Sequence, residues 1–179
     1  MKKIFKGLLI VASVLIILLM AGMMLPESLH VERSIVIRAP AAQVYPHVSN
    51  FRLFNQWSPW AKIDENIKFE YVGAESGEGA IVHWSSEHAR VGKGSQKIIA
   101  ARQDEEVRSI LAIDGMGKAY SRFMLVEDQG STKVLWSFDV SFGYNIPGRV
   151  MGMLMEDELD SYYERGLNNL KQRVESGQS

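Results

Sequence analysis

The run His83-Trp84-Ser85-Ser86-Glu87-His88 gathers the side chains most able to do chemistry, two imidazoles and a carboxylate within six positions. A metal site needs at least three converging ligands, and the helical His-Glu-x-x-His zinc pattern is absent. Period two on a strand sends His83 and Trp84 to opposite faces, so an inward Trp84 leaves His83 outside, with Glu87 and His88 in the following turn. The run therefore reads as a solvated hairpin. His30 and His47 have no evident partners. Tyr120 and Arg122 fall on the strand face opposite Phe123 and read as exterior. Ser137, Asp139 and Asp114 are polar groups at a pocket edge with no spacing that singles them out. Gly92-Lys93-Gly94-Ser95 lacks the strand–loop–helix setting and the Lys-Ser/Thr step of a phosphate loop. The acidic run Glu156, Asp157, Glu158 and Asp160 reads as a solvated helix face. With no Cys in the chain, thiolate catalysis, disulfides and Cys-based zinc sites are excluded. The sequence predicts no metal and no cofactor.

The elements that carry these residues are legible. The chain has 179 residues, with 20 Lys+Arg against 21 Asp+Glu. That is one domain plus an appendage, with no basic excess to suggest nucleic acid. Residues 1–6 carry Lys2, Lys3 and Lys6. The uncharged run 7–25 follows, and as a helix it spans about 28 Å, close to a ~30 Å hydrocarbon core. It predicts one transmembrane helix ended by Pro26. The basic flank predicts a cytoplasmic N-terminus and a domain on the outer side, periplasmic or extracellular. The alternative is secretion after cleavage of a signal, whose apolar core is usually shorter, ~7–15 residues. Residues 26–30 read as a tether to one domain, 31–175.

Val31, Arg33, Ile35 and Ile37 alternate as a strand. Pro40 opens a helix over 41–48, which Pro46 should kink or shorten. Phe51 to Trp57 reads as a second short helix. Six strands are predicted next, at 67–72, 80–85, 95–101, 107–113, 119–126 and 132–140. Gly73, Gly77, Gly79, Gly92, Gly94, Gly115, Gly117 and Gly130 punctuate most of the gaps. The apolar period then lengthens, giving a long helix from Pro147 to about Arg173. Gly166 inside it costs about 1 kcal/mol against Ala, which points to close packing on the sheet.

Strand, two short helices, six strands and a long helix make an α+β fold, a seven-stranded antiparallel sheet wrapped around the C-terminal helix. The opening Glu32–Trp60 segment resembles that of the START-like (SRPBCC) superfamily, in its polyketide cyclase branch. Gly79-x4-Trp84, Val91-Gly92-x-Gly94, Gly130-x-Thr132-x-Val134-x-Trp136-x-Phe138 and Tyr163-x2-Gly166-Leu167-x2-Leu170-Lys171 extend the resemblance over about 150 residues. Pro46 and the Met-rich run 151–155 depart from its usual pattern. The resemblance implies a helix-grip fold enclosing a cavity and supplies no shared catalytic residues. By strand period and helix face, the predicted pocket lining is Trp60, Val82, Trp84, Phe123, Leu125, Val134, Trp136, Phe138, Met151 and Met155. Large aromatics and flexible Met suit a hydrophobic small molecule or lipid of loosely defined shape. The reading is thus membrane-anchored binding of such a ligand. The alternatives are a cyclase or dehydratase using the same cavity, for which no acid–base pair stands out, and an interaction or stress-response domain without ligand.

Overall fold

The computed structural model describes residues 2–88, 90–114 and 117–177. Gly115, read as a turn glycine, and the side chains of Lys2, Lys3 and Leu8 lie outside the described residues.

Helix α1 (Lys2–Met23) is followed by β1 (Ser28–Ile37), α2 (Ala41–Ser49), α3 (Phe51–Trp57) and a single 3-10 turn, Trp60–Lys62. Strands β2 (Lys68–Gly73), β3 (Ala80–Ser85), β4 (Lys93–Arg102), β5 (Glu106–Ile113), β6 (Gly117–Asp128) and β7 (Ser131–Ser141) lead to α4 (Ile146–Glu175). The seven strands form one antiparallel sheet in the order β1-β7-β6-β5-β4-β3-β2, so β2 to β7 are successive hairpins and β1 closes onto β7. This is the helix-grip arrangement. The β6–β7 turn is held by Gln129 and Gly130, both with positive φ, as the right-handed strand twist requires of a two-residue hairpin.

Two local details differ from expectation. α2 runs through Pro46 to Ser49, one residue beyond the expected 41–48, so Pro46 does not shorten it. Asn50 ends it and caps α3, its side-chain oxygen accepting from the backbone N–H groups of Arg52 and Leu53. The predicted start of the first strand, Val31, is too late. β1 pairs with β7 from Ser28 onward, inside the stretch read as a tether, because Ser28, Leu29 and His30 continue the same alternation and Leu29 is buried.

α4 lies across the inward face of the sheet, packed most extensively along β1. Leu159, Tyr163, Leu167, Leu170 and Val174 are its buried stripe. The reason for Gly166 is steric. A Cβ there would sit 2.8 Å from the Trp136 ring and 3.2 Å from Pro59, so only glycine lets the helix approach this closely.

The α1 window Phe5–Met23 is long and apolar enough to cross a membrane, and only 6 % of it is buried. The core helix of a soluble domain would be mostly buried, so α1 does not serve as one. Its C-terminal end packs on the start of α4, where a Cβ on Gly22 would come within 2.4 Å of the Ile146 side chain.

Candidate functional site

The site begins with how the sheet directs its side chains. On β3, Val82 points inward and His83 outward. Trp84 shares the inward face and lies flat across Gly94 of β4, directly opposite in register. A Cβ on Gly94 would be 2.4 Å from the Trp84 ring. The indole N–H reaches the Val91 carbonyl at 3.2 Å, which ties the ring to the β3–β4 turn. The Val91-Gly92-x-Gly94 motif is therefore the seat of Trp84.

On β7, Trp136 and Phe138 point inward. Trp136 stacks on Phe123 at 4.9 Å and meets Phe54, Trp57 and Trp60 edge-on, with centroids at 5.9, 5.4 and 5.8 Å. Edge-to-face and offset-stacked contacts of this kind fix ring orientation beyond what area burial does. α3 and the 3-10 turn thus close one end of the sheet with aromatic groups.

Between this wall and α4 lies a cavity of about 170 Å³. Trp60, Val82, Trp84, Trp136, Phe138 and Met155 from the predicted set line it, together with Phe54, Phe69, Leu111 and Leu159. Phe123, Leu125 and Val134 point inward and are buried but do not border it. The sheet is longer than the cavity, and α2 with the C-terminal half of α4 fills the remainder as core. Met151 is outside, 43 % exposed. Each four-residue step along an α-helix drifts about 40° at ~3.6 residues per turn, so two steps back from Leu159 carry Met151 about 80° away from the sheet.

Polar side chains also border the cavity and were not anticipated, among them Gln96, Ser121 and Tyr163. Gln96 on β4 donates through Nε2 to the Ser109 hydroxyl at 2.7 Å. Ser121 on β6 accepts from the Trp136 indole N–H at 3.0 Å. The Tyr163 hydroxyl lies near Ser121 on the cavity wall. Burial raises this phenol far above its usual pKa, more than the nearby Ser121 hydroxyl lowers it, with the Asp139 charge adding to the rise. Tyr163 therefore stays protonated and can donate a hydrogen bond into the cavity. A period-two reading contained the signal: Gln96 is in phase with Ile98, and Ser121 with Ala119 and Phe123. The mouth is bordered by Arg90, whose guanidinium pairs with Glu158 of α4 at 3.4 Å.

The remaining candidates sit elsewhere. His83 and Glu87 are exposed, and His88 lies in the β3–β4 turn where its backbone N–H donates to Ser86. No three His, Asp or Glu side chains converge as for a metal among the described residues. Asp139 pairs with His30 at 2.6 Å on the outer sheet face, and Arg122 pairs there with Glu106 at 2.5 Å. In the acidic run, Asp160 is held by Arg33 and Glu158 by Arg90, so these two are ion-paired rather than merely solvated. His47 is buried in α2 and removed from the cavity. Burial, then the nearby Arg173 charge, lowers its pKa, and its Nδ1 has no partner among the described residues.

A second constellation lies at the junction of α1 and the domain. Arg149, in the first turn of α4, is buried. Its guanidinium donates to the backbone carbonyls of Gly143 at 2.7 Å, Met23 at 2.9 Å and Leu25 at 2.8 Å. Glu27 Oε2 lies 3.8 Å from the same group, and the Glu27 carbonyl accepts from the Phe142 N–H at 2.8 Å. The segment between α1 and β1 is thus gripped from both sides.

Residues 28–175 match the family described as polyketide cyclase / dehydrase and lipid transport. No curated protein matches the chain. Among solved structures, a truncated norcoclaurine synthase from Thalictrum flavum aligns with a TM-score of 0.63 at 11 % identity, covering 82 % of this chain and 92 % of that one. The Aha1 dimer from Colwellia psychrerythraea aligns at 0.56 and 15 % identity, with 84 % and 99 % covered. DynU16, a protein of the dynemicin biosynthetic locus, aligns at 0.58 and 15 % identity over 83 % of this chain, which spans about half, 48 %, of that one. At these identities the likeness is one of fold.

Proposed function

This chain belongs to the polyketide cyclase / dehydrase and lipid transport family, and we propose that it is a membrane-anchored binder of a hydrophobic small molecule or lipid. The observation that carries this is the cavity between sheet and α4, walled by aromatic and aliphatic side chains with a few hydrogen-bonding groups at fixed places. At about 170 Å³ it is smaller than the ~300–1,000 Å³ of drug-sized sites and near the ~150 Å³ at which a dry apolar cavity accepts a benzene-sized guest. It fits one ring or a short stretch of acyl chain. A longer ligand extends through the mouth, past the Arg90–Glu158 pair and the flexible Met155.

Ser121, Tyr163 and Gln96 supply a hydroxyl pair and an amide for one oxygen function on such a ligand. Burial keeps the Tyr163 phenol protonated, so it can donate a hydrogen bond to that oxygen function.

α1 serves as the anchor, with Lys2, Lys3 and Lys6 on the cytoplasmic side and the domain on the outer side. The Arg149 contacts support retention over cleavage, because a cut before Pro26 removes the Met23 and Leu25 carbonyls that this buried cation needs.

The test uses the full chain purified in detergent, extracted with organic solvent and analysed by mass spectrometry beside Met155→Trp, which plugs the mouth without touching the sheet. One hydrophobic molecule per chain, lost in the variant while the circular dichroism is unchanged, is the expected result. Identical extracts from both proteins would sink the cavity as the binding place.

A further inference from the structure

We infer that the outward face of the first turns of α4, together with the β7–α4 turn, is a bilayer-seating surface that lays the domain against the membrane beside α1. This rests on α1 being a membrane anchor, as proposed above.

The face is unusual for a solvent-facing helix. Pro147, Val150, Met151 and Leu154 fall at i, i+3, i+4 and i+7, one stripe, and all are exposed, Leu154 at 72 %. Tyr144 in the preceding turn is 87 % exposed. From Ser141 to Met155 the sole charged side chain is Arg149, and that one is turned inward and buried. The buried stripe of α4 is occupied by the sheet and the short helices, so this second apolar stripe has no partner among the described residues of the domain.

Its position says what covers it. Ile146 packs against Gly22, at the C-terminal end of the apolar span, so the start of α4 lies at the level where α1 leaves the hydrocarbon. Arg149 bonds the carbonyls of Met23 and Leu25, which fixes α4 to α1 at that level. Leu154 is about two turns further on, ~12 Å along the axis. The composition then switches to Glu156, Asp157, Glu158 and Asp160. Ionised carboxylates are costly to bury in apolar surroundings, so the switch marks where α4 leaves the surface. An exposed apolar stripe beside a Tyr at this depth matches what the headgroup–acyl boundary accepts. The stripe also adjoins Met155, which lines the cavity, so the seated face places the cavity mouth beside the lipid.

The absence of native Cys makes the test direct. Single-cysteine full chains, Met151→Cys and Leu154→Cys, carry a polarity-sensitive fluorophore and are reconstituted in nanodiscs with and without chain-brominated lipid. Val126→Cys is the control. It is 55 % exposed on β6 and pairs with Lys133, eight residues along β7 from Ser141, or roughly 26 Å at ~3.3 Å per residue. Labels at 151 and 154 are expected to shift to the blue and to be quenched several-fold by brominated lipid, with the label at 126 unaffected. Protein that incorporates into discs but leaves label 154 as unquenched as label 126 overturns the seating while leaving the anchor intact. Protein that fails to incorporate removes both. Disulfide cross-linking between two copies of the unlabelled Leu154→Cys chain overturns the bilayer in favour of self-association through this face.

Discussion

Replacing Arg149 by Met keeps an unbranched apolar stem and removes the guanidinium donors at the α1–domain junction. Three backbone carbonyls, on Gly143, Met23 and Leu25, then lose a charged partner. Hydrogen bonds to charged groups contribute ~1.5–3 kcal/mol each. Removing the cation also relieves its own desolvation, and the freed carbonyls near the interface can find water. Truncating one partner of a buried charged cluster costs ~2–5 kcal/mol on balance, and about 2–4 kcal/mol is the expected loss here. The loss is local, because β1 remains paired with β7 along its whole length. At about 1.4 kcal/mol per tenfold, opening of the junction becomes roughly thirtyfold to several hundredfold more populated. Amide hydrogen exchange of the full chain in detergent reads this directly. Protection should fall by that factor for the Leu25, Phe142 and Asn145 amides, with little change at Trp136 or Leu170. Arg149→Lys retains one cationic donor and should fall between. Unchanged exchange at the junction in Arg149→Met would show that the guanidinium contacts do not hold α1 to the domain. Loss of protection across the sheet as well would show that Arg149 supports the fold rather than the joint.

Gly94→Ala should destabilise by about 1–3 kcal/mol, because the added Cβ has the Trp84 ring at 2.4 Å and the Ala112 carbonyl at 2.6 Å with no free direction to move. The melting temperature should fall by several degrees and the Trp84 contribution to near-ultraviolet circular dichroism should change; a wild-type melt and spectrum would mean Trp84 is not seated there. His47 has a lowered pKa, so the folded state resists protonation that the unfolded chain accepts. Its stability contribution is intact above the ordinary imidazole value of about 6.5 and declines as pH falls through it, so the melting temperature should drop between about pH 7.5 and 5.5. In His47→Gln that slope should flatten; an equal slope in both proteins would assign it to another group. The lowered pKa values of Asp64 and Glu175 act at lower pH, where carboxylates titrate, and do not confuse that window. Tyr163→Phe should leave binding of a pure hydrocarbon unchanged and weaken an oxygen-bearing ligand by about 0.5–1.5 kcal/mol, roughly two- to tenfold. Equal weakening of both would point to a change of cavity shape instead of a lost hydrogen bond.

The sheet was legible because its information is local. Alternation names a strand, glycines name the gaps, and a shift to longer period names α4, so the strands appear where expected with their ends moved by a residue or a few. The cavity was half legible. Inward phase identifies Trp84, Trp136 and Phe138, but phase alone cannot separate a residue that borders empty space from one packed behind it, which is why Phe123, Leu125 and Val134 belong to the core. Helix phase carried over too many turns misplaced Met151. The junction depends on Arg149 meeting carbonyls more than a hundred positions away, and backbone acceptors leave no trace in residue identity. What the sequence does contain is the isolation of that residue. Arg149 is the lone charge between Ser141 and Met155, flanked by Gly148 and Gly152, whose absent side chains admit the Phe142 ring. A cation in an uncharged helix turn must either reach water or find acceptors. Here the glycines draw α4 close to its preceding turn, the cation is enclosed, and the carbonyls at the end of α1 are the acceptors it meets. The side chain that makes the start of α4 appear amphipathic is therefore turned inward, and the outward stripe is left wholly apolar. The joint and the bare apolar face follow from one placement of Arg149.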